Sequence, residues 1–266
     1  MIVDAYSLTI TFLTVLIPLV AWLIKICVTK IILKFYRNKH IEQDVILITG
    51  CCFSGKTSLF YKLQDENFSS LLTVSSCKLN VFTFTKCSLS EKSPLCHIEW
   101  KPYQKKWNLV DFPGHTRFHY ELPQWFSKAC CIIFMIDASN KTAIKTSATQ
   151  LYNIFFSRTL LKNKTPVIIV CNKTDLLTTK TKKEVSSDLF REIEKIRVAQ
   201  ECAFQENNDS FTKIDTPAHP ILSVDDVDLP VHFCSSSVDT NRLSHILEAI
   251  QTVIFGSLKS DINKSA

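Results

Sequence analysis

The stretch VILITGCCFSGKTSLF, Val45 to Phe60, decides the fold. Val45–Thr49 is a short β-branched run that reads as a strand. It runs directly into G-x-x-x-x-G-K-[ST] from Gly50 to Thr57, and a helix with Leu59, Phe60 and Leu63 on one face is expected to follow. Strand, glycine-rich turn and helix N-terminus in that order form a phosphate cradle, in which successive backbone N–H groups and the helix dipole converge on oxyanions. The segment Gly50, Cys51, Cys52, Phe53, Ser54, Gly55, Lys56, Thr57 and Ser58 is therefore the expected phosphate-binding site. Lys56 is expected to reach the β and γ phosphates, and the Thr57 hydroxyl to ligate Mg²⁺. The competing reading is a glycine turn before an ordinary amphipathic helix. The chain has only four glycines, where average usage would give roughly 19, and three of them (Gly50, Gly55 and Gly114) lie in two short motifs.

Downstream, Trp107–Asp111 reads as a strand entering DFPGH, Asp111 to His115. A carboxylate at the C-terminal end of a strand beside the phosphate loop can hold Mg²⁺ through water, and the Gly114 N–H can face a γ phosphate. His115 stands where many regulatory GTPases orient water with a glutamine. Neutral imidazole lacks the amide's paired donor and acceptor, so slow intrinsic hydrolysis is expected. Between the two motifs, Asp65–Ser76 is polar and rich in Ser and Thr. Thr73 is the candidate for a further Mg²⁺ ligand, with Ser69, Ser70, Ser75 and Ser76 as neighbouring hydroxyls.

Cys130–Asp137 and Val167–Cys171 are two further apolar strands, with Lys141–Leu160 available as a crossover helix. NKTD, Asn172 to Asp175, follows the second strand. An ionised Asp175 can accept from the N1–H and 2-amino group of guanine, a donor pair that adenine lacks. Asn172 is expected to tie this loop to the base and the phosphate loop, and the Lys173 stem to cover the ring. After the strand Val231–Cys234, the backbone of Ser235 and Ser236 is expected near the guanine O6. Alternating strands and helices require an α/β fold, a mostly parallel central sheet with helices on both faces, and the phosphate-loop, DFPGH and NKTD motifs in that order make a P-loop small-GTPase fold the expected architecture.

At the N-terminus, Ala5–Ile24 runs for 20 residues without a charge, long enough as a helix to cross about 30 Å of hydrocarbon. Lys25, Lys30, Lys34, Arg37 and Lys39 follow, against Asp4 alone before the span, so the cationic side is expected to be cytosolic. The expected organisation is a short lumenal N-terminus (1–4), a transmembrane helix (5–24), a basic juxtamembrane segment (25–41), a cytosolic GTPase domain (42–256) and a polar tail (257–266). Residues 86–106, a long hydrophilic excursion, and 201–230, acidic and mobile, read as insertions.

Composition excludes several classes. With 46% apolar residues the chain is no disordered or low-complexity protein. The net charge of +6 is polarised: residues 101–200 carry 17 basic and 8 acidic side chains, residues 201–266 carry 4 and 10. Direct nucleic-acid binding is not expected from that pattern. Eleven cysteines, several inside apolar runs (Cys51, Cys52, Cys130, Cys131, Cys171, Cys234), read as reduced thiols. Cys87, Cys96 and His97 lack a fourth zinc ligand at supporting spacing.

The ordered set GCCFSGKTSLF, LVDFPGH, FMIDAS, VCNKTD and REIEKIRVAQ, together with the N-terminal anchor, resembles the β subunits of the signal recognition particle receptor, an Arf-related GTPase family. DFPGH is the most discriminating piece, because Arf and Sar proteins usually end this motif in glutamine. The resemblance implies residence in the endoplasmic reticulum membrane and GTP binding through Lys56, Thr57, Asn172 and Asp175. It also implies recruitment of the receptor α subunit by segments near Thr73 and Asp111–His115, with at most indirect contact with ribosome–nascent chain complexes. Cys51, Cys52 and Phe53 in the phosphate loop, and CSSS in place of S-A-K, depart from the usual pattern. An Arf- or Sar-like regulator of vesicle traffic and a nucleotide-independent scaffold on a degenerate GTPase fold are the alternatives.

Overall fold

The computed structural model describes residues 43–69, 76–101, 104–206 and 219–262. The segments expected to form the anchor, Ala5–Ile24, and the basic stretch behind it lie outside those residues, as does Thr73. Among the described residues no helix is long and apolar enough to cross a membrane.

Among the described residues six strands form one sheet: β1 (Val45–Gly50), β2 (Asn80–Phe84), β3 (Trp107–Asp111), β4 (Ala129–Asp137), β5 (Val167–Asn172) and β6 (Val231–Ser235). Their spatial order is β2-β3-β1-β4-β5-β6, and only β2 runs antiparallel to its neighbour. The inner strands read as continuous apolar runs because both faces are covered. On β1, Val45 and Leu47 face one layer while Ile46 and Ile48 face the other. The helices are α1 (Lys56–Gln64), α2 (Pro123–Phe126), α3 (Lys141–Phe155), α4 (Arg158–Asn163), α5 (Lys182–Glu206) and α6 (Ser244–Ile262). α3 and α5 cover the Leu47 side through Leu151, Phe155, Leu189 and Ile193, and α1 and α6 cover the Ile48 side through Leu59, Leu63, Ile246 and Ile250.

The expected single crossover helix is two. Asn140 caps α3, its Oδ1 accepting from the N–H groups of Thr142 and Ala143 at 2.9 and 3.4 Å. The helix stops at Phe156 before α4 begins, and Lys164 at φ 51° turns the chain into β5.

The excursion at 86–106 is no solvated loop. Leu95, Ile98 and Trp100 are fully buried with α1 and β3, and the Trp100 ring packs edge-on to Phe84 at 5.0 Å and tilted against Trp107 at 5.1 Å. Trp100 Nε1 donates to the Leu95 carbonyl at 2.8 Å, and Ser93 Oγ donates to the Leu63 carbonyl at 2.6 Å. Trp100→Ala is expected to lower unfolding free energy by about 3–5 kcal/mol, the cost of emptying such a site. A denaturant midpoint unchanged from the parent chain would return this segment to the status of a loop.

The described parts of the acidic segment, residues 201–206 and 219–230, respectively extend α5 and pack against the domain. α5 continues past Gln200 because Arg197 pairs with both Glu194 and Glu201, at 2.8 and 2.9 Å. Glu194 then accepts from the Ile221 N–H at 2.8 Å, and Ile221, Val227 and Leu229 bury themselves in the α3–α5 layer.

Candidate functional site

The C-terminal ends of β3, β1, β4, β5 and β6 lie side by side, with Ile48 opposite Asp111, Gly50 opposite Met135, Asp137 opposite Asn172 and Cys171 opposite Ser235. The loops leaving those ends carry nearly every side chain singled out from the sequence. α1 begins without a side-chain cap, so its first-turn N–H groups remain directed at the loop mouth.

Two glycines set how closely the loops approach. Gly55 sits at φ 93°, and a Cβ there would lie 2.3 Å from Asn172 Nδ2. Asn172 uses that proximity, donating from Nδ2 to the Ser54 carbonyl at 2.9 Å. Gly114 is pressed against the same loop from the other side: a Cβ on it would come within 2.6 Å of Lys56 Nζ and 2.7 Å of the Gly50 carbonyl oxygen. Phosphate loop, DFPGH and NKTD therefore meet around one point.

Lys56 is 6% exposed and donates to the Cys51 carbonyl at 2.6 Å and to Ser54 Oγ at 3.4 Å. Burial pushes its ammonium below the usual lysine range, against the pull of Asp111 and the thiols of Cys52 and Cys51. Cys51 Sγ reaches Ser147 Oγ at 3.4 Å, leaning the loop on α3. Cys52 is half-buried, and Phe53 stands 76% exposed at φ 60°. Ser54 and Ser58 are buried.

Asp111 is fully buried, and desolvation raises its pKa against the hydrogen bonds of Thr57 and Asn80 and the charge of Lys56. Its Oδ2 accepts from Thr57 Oγ1 at 2.8 Å and from Asn80 Nδ2 at 3.0 Å. Its Oδ1, equally enclosed, has no hydrogen-bond partner among the described residues. A buried carboxylate oxygen left unmatched beside a threonine hydroxyl is a donor set that fits a hydrated divalent cation. Ser76 Oγ stands 2.8 Å from Thr57 Oγ1, which adds a hydroxyl that sequence reasoning had named only as a neighbour of Thr73.

Asp175 Oδ1 accepts from Ser237 Oγ at 2.5 Å. Asn172 Oδ1 accepts from the Val238 N–H at 3.1 Å, so Asn172 bridges the phosphate loop and the turn after β6. Ser235 still belongs to the sheet, and the turn begins at Ser236, whose N–H donates to the Cys171 carbonyl at 2.9 Å. The third serine of CSSS, Ser237, was the one passed over. Lys173 adopts φ 66°, and its Nζ donates to Asp137 Oδ2 at 2.6 Å, which fixes the direction of its methylene stem. Burial of Asp137 raises its pKa, but Lys173 and Ser139 outweigh it and hold the carboxyl below its ordinary value.

His115 is exposed, and its Nδ1 accepts from the Arg117 N–H at 3.2 Å, capping a short 3₁₀ turn, Thr116–Glu121. His119, unnoticed in the sequence, sits deeper. Its Nε2 lies 3.0 Å from Gln150 Nε2 on α3. Burial lowers its pKa, partly offset by the Gly114 backbone beside it.

The family model for the signal recognition particle receptor beta subunit matches residues 41–219. The mouse receptor subunit beta is 28% identical over 199 residues, covering 74% of this chain and 64% of the mouse protein, so the chain spans somewhat less than two thirds of that relative. The structure of the mammalian receptor superposes with a TM-score of 0.61 at 21% identity, over 79% of this chain and 99% of that one. The SRb-GTP/SRX complex from Chaetomium thermophilum gives 0.53 at 18% identity, over 73% and 93%. Both likenesses are to the fold. With the family model covering more than half its length, the chain belongs to the signal recognition particle receptor beta subunit family.

Proposed function

We propose that this chain is a membrane-anchored GTP-binding subunit of the signal recognition particle receptor that recruits the α subunit for cotranslational targeting to the endoplasmic reticulum. The observation that carries the reading is the meeting of three loops at Asn172, Gly55 and Gly114, which puts a phosphate cradle and a guanine-matching carboxylate on one sheet edge. The fungal relative's complex is described as GTP-bound and joined to SRX.

In this reading the phosphate loop N–H groups and Lys56 hold the phosphates, while Asp175, Asn172, Lys173 and the turn at Ser236 hold the base. Thr57, and Asp111 through water, hold Mg²⁺, with a Ser76 or Thr73 hydroxyl closing on the same side. When bound, Mg²⁺ neutralises phosphate oxygens and aligns them. The Gly114 N–H reports the γ phosphate, and the attached turn carries that signal to the surface. His115 already spends Nδ1 on a cap, which leaves one nitrogen and no paired donor and acceptor for water, consistent with slow or partner-dependent hydrolysis. Ala5–Ile24 would anchor the chain with its short N-terminus in the lumen and the GTPase domain in the cytosol.

The test is affinity capture from detergent-solubilised membranes with the chain loaded with GTP or GDP. Retention of an α subunit several-fold greater with GTP is the expected result. Equal retention in both states would leave a scaffold in place of a switch.

A further inference from the structure

Lys62 is a lysine on the inner side of α1 and is only 3% exposed. No carboxylate lies within ion-pair distance among the described residues; its ammonium instead donates to the Val238 carbonyl at 2.5 Å, the Asp239 carbonyl at 3.2 Å and Asn241 Oδ1 at 2.5 Å. Three donors on one compact nitrogen thus meet three oxygens of a single turn. That turn is closed by a Ser237–Arg242 bridge and bends through Asn241 at φ 56°. It is also tied to the end of α1, because Asn241 Nδ2 donates to the Glu66 carbonyl at 3.3 Å.

The residues that face the base loop stand on this same turn. Ser237 Oγ donates to Asp175, and the Val238 N–H donates to Asn172, whose side chain holds the phosphate loop at Ser54. Lys62 therefore grips the Val238 carbonyl while the amide of the same residue grips Asn172. Burial lowers the Lys62 pKa, and the charges of Asp239 and Glu66 draw it part of the way back. A desolvated charge satisfied only by turn oxygens is a costly arrangement, unnecessary if the helix needed merely an apolar contact.

We propose that Lys62 is a positioning residue for guanine recognition, clamping the Ser237–Asn241 turn to the phosphate-loop helix so that base and phosphates are held as one unit. The inference deepens the GTP-binding reading and rests on it. Lys62 touches no nucleotide in this role; it acts through Ser237 on Asp175 and through Val238 on Asn172. Its removal should therefore do two things: shorten nucleotide residence, and blunt the preference for a base that carries the 2-amino group.

The test compares full-length chain in detergent, loaded with fluorescent GDP or IDP, for Lys62→Met, Lys62→Arg, Asn241→Gly and Asp175→Asn. Lys62→Met should release GDP about tenfold faster, the change set by about 1.4 kcal/mol, and IDP by a clearly smaller factor. Lys62→Arg should restore much of the GDP residence, and Asn241→Gly, which removes the Asn241 side-chain bonds to Lys62 and to the Glu66 carbonyl while leaving Lys62 its two backbone acceptors, should shift GDP in the same direction as Met by a smaller factor. Equal acceleration of GDP and IDP in Lys62→Met, or no acceleration, overturns the proposal. So does an arginine variant as fast as methionine. Should methionine prevent folding, Asn241→Gly carries the same comparison between GDP and IDP. If Asp175→Asn also leaves the two nucleotides unchanged relative to the parent, the guanine reading itself has failed, and that failure is distinguishable from one confined to Lys62.

Discussion

Asp175→Asn should reverse the base preference of this chain from GTP towards xanthosine triphosphate. Asp175 Oδ1 is held by the Ser237 hydroxyl at 2.5 Å, which leaves its second oxygen for a ligand. In the asparagine variant Ser237 still has a proton to donate, and the only acceptor on the amide is its oxygen. That bond selects the rotamer, turning the NH₂ to where the free carboxylate oxygen stood. A donor then confronts the N1–H and 2-amino group of guanine, so donors face each other. Xanthine carries a carbonyl at position 2, which accepts from the same NH₂.

The expected loss for GTP is on the order of a hundredfold, about 2.7 kcal/mol for a charged contact replaced by a mismatch. Xanthosine triphosphate should gain over its affinity for the parent chain. Competition of the two triphosphates against one fluorescent nucleotide measures the ratio directly. A Ser237→Ala companion sharpens the result: without the orienting hydroxyl, the asparagine can flip, and the reversal should shrink. An unaltered preference in Asp175→Asn would remove Asp175 from the base site.

The phosphate loop, DFPGH and NKTD could be read from the sequence because each packs its chemistry into a few consecutive residues whose spacing is dictated by one strand end. Ser237 and Lys62 could not. Their meaning depends on contacts made 62 and 176 residues away along the chain, and nothing in CSSS or in KLQ marks a partner. Lys62 also defies its local pattern, since a lysine in the last turn of a nine-residue helix ordinarily faces water and offsets the dipole. The 86–106 excursion misled for a different reason. Leu95, Ile98 and Trp100 obey no strand or helix period, so the signal of burial was spread through a charged background. α5 ran on past its apolar periodicity because ion pairs, and a backbone bond from Ile221, replaced apolar packing there. β2 shows the alternation of an edge strand with one wet side: Val81 is exposed and Phe84 buried.

Gly55→Ala should be severely damaging, through two costs that can be separated. The first is conformational. At φ 93° a residue with a Cβ is strained by roughly 1–2 kcal/mol. The second is steric, and it falls on one group. The new Cβ would stand 2.3 Å from Asn172 Nδ2, so the amide must leave and with it the bond to the Ser54 carbonyl. Asn172 also accepts from Val238 through its other end, so its displacement loosens the turn after β6 and the phosphate loop together. Loss of these buried bonds adds about 1–3 kcal/mol. Nucleotide retention should fall at least a hundredfold, about 2.7 kcal/mol or more, and the unfolding temperature should drop with it. A double-mutant cycle separates the two costs. Asn172→Ala removes the obstacle and the bonds at once, so adding Gly55→Ala to that background should cost only the strain. A coupling energy of about 1 kcal/mol or more between the two positions is expected of groups in direct contact. Simple additivity would mean that the methyl finds room without moving Asn172, and that the loops do not meet at this point.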